Sequence, residues 1–257
     1  PAPRPPRAAA KPPAEQRGTV ALFAGCAQRG LMPHSNEALA ALLGRLGYRV
    51  ETIDGCCGAL RQHSGRERAA RRDIRRSLDS CAAAVEGGAE AIVLAGSGCA
   101  AFIDEYPALF AADPHRRALA ERVRGRLADP AAFLRPHAAR LRDCVRPDPR
   151  RRVALHRPCT LRNGLRSPDA YPALLRELGY ATVEPVNPPG CCGSAGLHSL
   201  LRPRAARRIR ARLANSFMTT AATTVATANI GCALHLRLGC DLPVEHWLDL
   251  LAADLLE

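Results

Sequence analysis

From Thr19 onward the chain alternates short apolar runs with amphipathic stretches. Val20-Ala-Leu-Phe-Ala24 has strand length and ends at Gly25-Cys26. Glu37 to Leu46 then sets Leu39, Leu42, Leu43 and Leu46 on one helical face, with Asn36 as the expected cap and Gly47 as the stop. Tyr48 to Ile53 predicts a second strand and Arg66 to Val85 a long amphipathic helix rich in outward arginines. A third strand, Ala91 to Ala95, runs into Gly96-Ser97-Gly98-Cys99. Residues 104 to 150 leave this rhythm: helical segments are expected near Arg116 to Leu127 and Ala131 to Leu141, and Arg146-Pro-Asp-Pro-Arg150 reads as a hinge.

The second half repeats the first. Val153-Ala-Leu-His-Arg-Pro-Cys159 matches Val20 to Cys26, and Asp169 to Leu178 with Gly179 matches the first helix and its stop. Ala181 to Val186 and Thr223 to Ala228 match the next two strands, and a last strand and helix fill Leu242 to Leu256. Strands alternating with helices predict the α/β class, as two duplicated Rossmann-like domains with small parallel sheets flanked by helices. The expected division is a linker over 1–18, a first cysteine-rich domain over 19–145 and a second over 146–257. Six prolines and no apolar periodicity in residues 1–18 are linker composition, and a linker implies a segment on its far side.

Within this frame the cysteines carry the chemistry. Gly55-Cys56-Cys57-Gly58 and Gly190-Cys191-Cys192-Gly193 are twins. Adjacent cysteines do not easily close an ordinary disulfide on each other, because the bond wants well-separated Cα atoms and facing Cβ vectors, so the repeated turn points to thiolates offered to a metal. Cys26 and Cys99 flank the first pair, and Cys159 and Cys232 the second, at offsets of 133, 135, 135 and 133. Eight of the eleven cysteines thus form two superimposable sets of four, at the C-terminal ends of predicted strands, where open parallel sheets build sites. Four soft sulfur donors suit either Zn²⁺ or an iron-sulfur cluster, and spacing does not separate the two. Cys81, Cys144 and Cys240 have no counterparts and read as inert, buried thiols. His63 and His198 each follow the first cysteine of their pair by seven residues; they read either as supporting donors or proton relays beside the metal, or as surface histidines on a loop. Gly96-Ser-Gly-Cys mimics a dinucleotide fingerprint, but a cysteine sits inside it and the matching loop, Ile230-Gly-Cys232, lacks the pattern.

Composition narrows the setting. At 47% hydrophobic, a chain of 257 residues can bury a core in each half. No apolar run approaches the ~18 to 20 residues of a membrane span and the first residues lack an apolar signal core, so a reducing, cytoplasmic location is expected, with peripheral attachment to the inner face of the cell membrane left open. The net charge of +13 is carried almost wholly by arginine, since Lys11 is the only lysine. So complete a bias resembles a coding preference of a GC-rich genome. Aromatic residues are scarce at 4% and no nucleic-acid-binding motif occurs, so nucleic acid is not an expected partner. The charge favours acidic partners or an anionic membrane surface.

Cys56-Cys-Gly-Ala-Leu, Cys191-Cys-Gly-Ser-Ala-Gly, Ala228-Asn-Ile-Gly-Cys232 and Pro243-Val-Glu-His resemble the cysteine-rich CCG-domain family, above all the C-terminal half of the glycolate oxidase iron-sulfur subunit. The B subunit of heterodisulfide reductase and the lactate-utilisation iron-sulfur proteins are relatives, and the likeness covers roughly residues 19 to 257. It implies an electron-transfer subunit bearing an iron-sulfur cluster of the [4Fe-4S] type. Such a subunit takes electrons from a flavoprotein that oxidises glycolate and passes them toward a membrane acceptor, and it carries no substrate chemistry of its own. The family subunit has a two-cluster ferredoxin part upstream, and no CxxCxxCxxxCP run occurs here. Two departures stand out. Gly96 and Asn229 occupy the place of the first cysteine in the family's CxxC, and Arg157 and Thr160 flank Cys159 where relatives carry an acid and a histidine. A zinc-binding scaffold and a thiol-disulfide catalyst are the competing readings; the second is disfavoured because no CxxC is present.

Overall fold

The computed structural model describes residues 17–256, so the expected linker, apart from Arg17 and Gly18, lies outside the described residues. The described chain forms two compact units, 17–133 and 134–256.

The first unit runs β1 (Thr19–Phe23), α1 (Cys26–Leu31), α2 (Pro33–Arg45), β2 (Arg49–Ile53), α3 (Ala59–His63), α4 (Glu67–Glu86), β3 (Ala89–Val93), α5 (Ser97–Asp104), α6 (Tyr106–Leu109), α7 (Pro114–Arg126) and β4 (Leu127–Ala128), with α8 (Pro130–Leu134) at the divide. The second opens on a 3-10 turn (Arg135–His137) and α9 (Ala138–Cys144), then β5 (Arg152–His156), a π turn (Thr160–Gly164), α10 (Ala170–Glu177) and β6 (Ala181–Val183). It ends with α11 (His198–Leu201), α12 (Pro203–Met218), β7 (Thr224–Thr227), α13 (Ile230–Arg237), β8 (Val244–His246) and α14 (Trp247–Ala253).

Each unit holds a four-stranded, wholly parallel sheet, and the strand order is the same in both: β2-β1-β3-β4 and β6-β5-β7-β8. This is the duplicated α/β architecture that the alternating pattern predicts. The inner strands are covered on both faces, which is why they read as unbroken apolar runs: Val20, Ala21, Leu22 and Phe23 of β1 are all buried, as are Val153, Ala154 and Leu155 of β5.

Local chemistry explains where elements depart from the pattern. α2 begins at Pro33, whose fixed φ suits the first helical position, three residues before the expected cap. Asn36 instead donates its side-chain amide to Ala24 O at 2.8 Å, tying α2 to the end of β1. The helix expected over Ala131 to Leu141 is broken into α8, the 3-10 turn and α9 around Pro136, which has no N–H to give and crowds the preceding turn.

Candidate metal centres

Both sheets release their cysteines at the C-terminal edge. In the first unit Cys26 opens α1 after β1, Cys56 and Cys57 lie between β2 and α3, and Cys99 sits in the first turn of α5 after β3. In the second, Cys159 follows β5, Cys191 and Cys192 lie between β6 and α11, and Cys232 sits in the first turn of α13 after β7.

The cysteine turns are built by their glycines. Gly58 and Gly193 take φ of +86° and +89°, the left-handed region that side-chain-bearing residues avoid. That turn aims backbone N–H groups at sulfur. Gly193 N–H points to Cys191 Sγ at 3.3 Å, Ser194 N–H supports Cys192, and Gly58 and Ala59 N–H groups support Cys56 and Cys57. Such an amide nest favours the thiolate. Neighbouring helices buttress the turns from below: Ser77 of α4 donates to Cys56 O at 2.8 Å, and buried Tyr106 donates its hydroxyl to Cys57 O at 2.8 Å. In the second unit Arg162 donates to Gly190 O, and Asn229 caps α13 by accepting from Gly231 N–H at 2.9 Å and Cys232 N–H at 3.3 Å.

The sulfurs close on one another in pairs. Cys26 and Cys56 Sγ are 3.3 Å apart, Cys57 and Cys99 3.3 Å, and Cys192 and Cys232 3.1 Å. One thiol of each pair stabilises the other's thiolate, so each pair gives up one proton readily and holds the second hard. The hydrogen bond from Cys56 lowers Cys26 to about 6, and that from Cys232 lowers Cys192 to about 7. Cys57 is lowered by Cys99 against the effect of burial. Cys56, Cys99 and Cys232 are pushed up, first by the shared hydrogen bond and then by desolvation, and burial raises Cys159. Cys99 feels the charges of Cys26, Cys56 and Cys57, and Cys232 those of Cys159, Cys191 and Cys192, so each set of four is electrostatically one group within its own unit.

Among the described residues no set of three or more Cys, His, Asp or Glu side chains is spaced to hold a metal ion. The donor chemistry nevertheless fits one: four thiols meet at each sheet edge, with Cys26 and Cys57 inclined to ionise in the first unit and Cys192 in the second. A tetrahedral ion with bonds near 2.3 Å holds its sulfurs about 3.8 Å apart, so each 3.1 to 3.3 Å pair must open to admit zinc, and further for a cluster.

The two histidines differ. His198 Nδ1 lies 3.1 Å from Gly193 O, directly on the cysteine turn, whereas His63 is exposed and packs edge-on against Phe102 at 5.5 Å. Cys81 is fully buried and its thiol is pushed up to about 12; Cys144 and Cys240 are half-buried. Arg157 is tied to Asp169 at 2.9 Å and to Glu184 at 2.5 Å, so the cation next to Cys159 is matched by two acids. Sequence pattern did not reveal Ser77, Tyr106 or Arg162 as supports of the cysteine turns, since each acts through a carbonyl brought near by packing. Gln28 is buried beside the Gly25 turn, its amide donating to Met32 O at 2.9 Å and its side-chain oxygen facing Gly96, unpartnered among the described residues. For Asn229, read from the sequence only as the place of a family cysteine, the signal for its capping role is an Asn immediately before the first residues of a helix.

Comparison with known proteins matches the duplication. The cysteine-rich domain family, CCG, matches residues 20–104 and again 153–237. The chain is 32% identical over 246 residues, 95% of its length, to the glycolate oxidase iron-sulfur subunit of Escherichia coli (strain K12), and 28% identical over 226 residues to the probable glycolate oxidase iron-sulfur subunit of Bacillus subtilis (strain 168). It spans 60% and 50% of those two proteins. Against lactate utilization protein A of Bacillus cytotoxicus it is 26% identical over 235 residues, 88% of this chain and 95% of that one. Two matched segments, each ending beyond its own set of four cysteines, make this chain a member of the cysteine-rich CCG domain family, with the domain present twice.

Proposed function

We propose that the chain is the iron-sulfur, electron-transferring part of a flavin-dependent oxidoreductase that oxidises a small 2-hydroxy acid such as glycolate. The observation that carries this reading is the gathering of Cys26, Cys56, Cys57 and Cys99 in one unit, and of Cys159, Cys191, Cys192 and Cys232 in the other, each at the same sheet edge. These residues would hold one [4Fe-4S]-type cluster per unit, and a cluster supplies the means to accept and release single electrons. The protein supplies the rest: amide N–H groups of the two glycine turns to stabilise negative sulfur, His198 against the second turn as a positioning group, and burial of Cys57, Cys192 and Cys232 to exclude water. A separate flavoprotein is the electron donor in this reading, and a membrane acceptor on the cytoplasmic side is the destination.

The sulfur spacing favours a second reading, structural zinc, because the pairs need open least for a single ion. Anaerobic purification followed by iron, zinc and acid-labile sulfide analysis and a visible spectrum separates the two. A brown sample bleached by dithionite is expected; a colourless protein with stoichiometric zinc would establish the scaffold.

A further inference from the structure

The first unit carries a basic groove, well removed in chemistry from its thiols. Arg68, Arg71, Arg72, Arg75 and Arg76 stand exposed on α4, and with Arg116 of α7 beside them they line a wide, open depression of about 660 Å³. At helical spacing the five form a stripe about 12 Å long. Asp79, also in the groove, is taken by Arg116 at 3.1 Å, and no ion pair reaches the five α4 arginines among the described residues. Like charges three and four residues apart repel, so the stripe weakens the helix that bears it and contributes nothing to the fold. The opposite face does that work: Ala70, Asp73, Ile74, Ser77, Leu78 and Cys81 are all buried.

We infer that this groove is a docking site for an extended, Asp/Glu-rich segment of a protein partner. Guanidinium groups are planar forks that match carboxylates two bonds at a time, and the five on α4, reached by no ion pair among the described residues, ask for a chain of carboxylates. A bilayer fits less well. Neither α4 nor α7 exposes a large apolar side chain to insert into it. Nucleic acid is disfavoured because no aromatic residue lines the groove for base stacking. Since the buried face of α4 carries the Cys56-Cys57 turn through Ser77 and Ile74, a segment seated on the outer face lies about one helix diameter, roughly 10 Å, from that turn. The inference does not depend on what the thiols hold.

The test is binding of a fluorescent decaglutamate peptide to the full chain at about 50 and about 200 mM salt, alongside anionic phosphatidylserine vesicles. Saturable peptide binding is expected, weakening with salt. The triple substitution Arg71→Gln, Arg72→Gln and Arg75→Gln is expected to lower the affinity roughly tenfold or more, while Arg204→Gln, Arg207→Gln and Arg208→Gln on the exposed face of α12, which removes the same net charge, changes it less than roughly twofold. All six positions are exposed, and unchanged circular dichroism verifies folding. Equal losses in both triples would reduce the effect to net charge and overturn the proposal. So would absence of peptide binding at low salt, or vesicle binding that the α4 triple abolishes while the peptide does not bind.

Discussion

Gly58 and Gly193 show how much local chemistry a single missing Cβ can carry. A Cβ at Gly58 would meet Ile74 Cγ1 at 2.7 Å and the backbone oxygen of Ala70 at 3.2 Å; at Gly193 it would meet the backbone oxygen of Ala206 at 2.7 Å, fixed in α12, and Ile209 Cβ at 3.1 Å. At Gly65, with φ of +75°, it would meet nothing within 4 Å. Alanine substitution is therefore expected to cost least at Gly65, about 1 to 2 kcal/mol from the left-handed backbone alone, more at Gly58, and most at Gly193, roughly 3 kcal/mol or above. Chemical denaturation of the three variants checks the ranking. His156 supports a prediction in pH. It is buried between β5 and β7, its Nδ1 is 2.9 Å from Thr227 Oγ1, and burial draws it from 6.5 down to about 3. Below about 6.5 the unfolded chain takes a proton that the folded one refuses, so stability falls as the pH drops from there toward 3. The contribution of this residue approaches about 1.4 kcal/mol per pH unit. His156→Asn keeps a hydrogen-bonding group but cannot titrate, and its stability relative to the parent should rise as the pH is lowered through that window. Parallel curves for the two proteins would refute the assignment.

At the scale of elements, α4 serves two faces with opposite demands. Its inner face holds the cysteine turn, while its outer face concentrates exposed positive charge. Arg72→Gln removes the repulsions with Arg68 and Arg76 one turn away and with Arg75, and is expected to stabilise the first unit by about 0.5 to 1 kcal/mol at low salt. The gain should fade as screening increases, and thermal melts at two ionic strengths would reveal it. A gain that persisted at high salt would show that packing, not charge, had changed. The loops leaving the strands behave differently in the two units. Gly96 leads into α5 with no side-chain cap, whereas Asn229 caps α13 through two backbone N–H groups. The matching positions Gly96 and Asn229 are thus a plain turn in one unit and a helix cap in the other.

For the molecule as a whole, duplication sets the expectation of two separable centres. Each set of four cysteines lies within one compact unit, where Cys99 feels Cys26, Cys56 and Cys57, and Cys232 feels Cys159, Cys191 and Cys192. Cys57→Ser should strip metal from the first centre and Cys192→Ser from the second, each leaving about half of the bound metal, because a hard oxygen replaces a soft donor at one centre only. Metal analysis of the two variants checks this, and loss of all metal from either would point to a single centre shared by both halves.

Much of this was already written in the chain. The order of strands and helices follows from apolar runs alternating with amphipathic stretches, because a parallel sheet covered on both faces must be apolar throughout. The two sets of four cysteines follow from equal offsets, since a duplicated fold returns matching positions to matching places. Tertiary structure alone decided what supports those thiols. Ser77, Tyr106 and Arg162 reach the turns through backbone carbonyls, which leave no mark in sequence, and the pairing of Cys57 with Cys99 and of Cys192 with Cys232 depends on how closely β3 and β7 bring helix termini to the glycine turns. The basic groove shows the same limit. The arginines of α4 are plain in the sequence as a solvated face, but only the packing of α7 against α4 sets Arg116 beside them in one shallow depression.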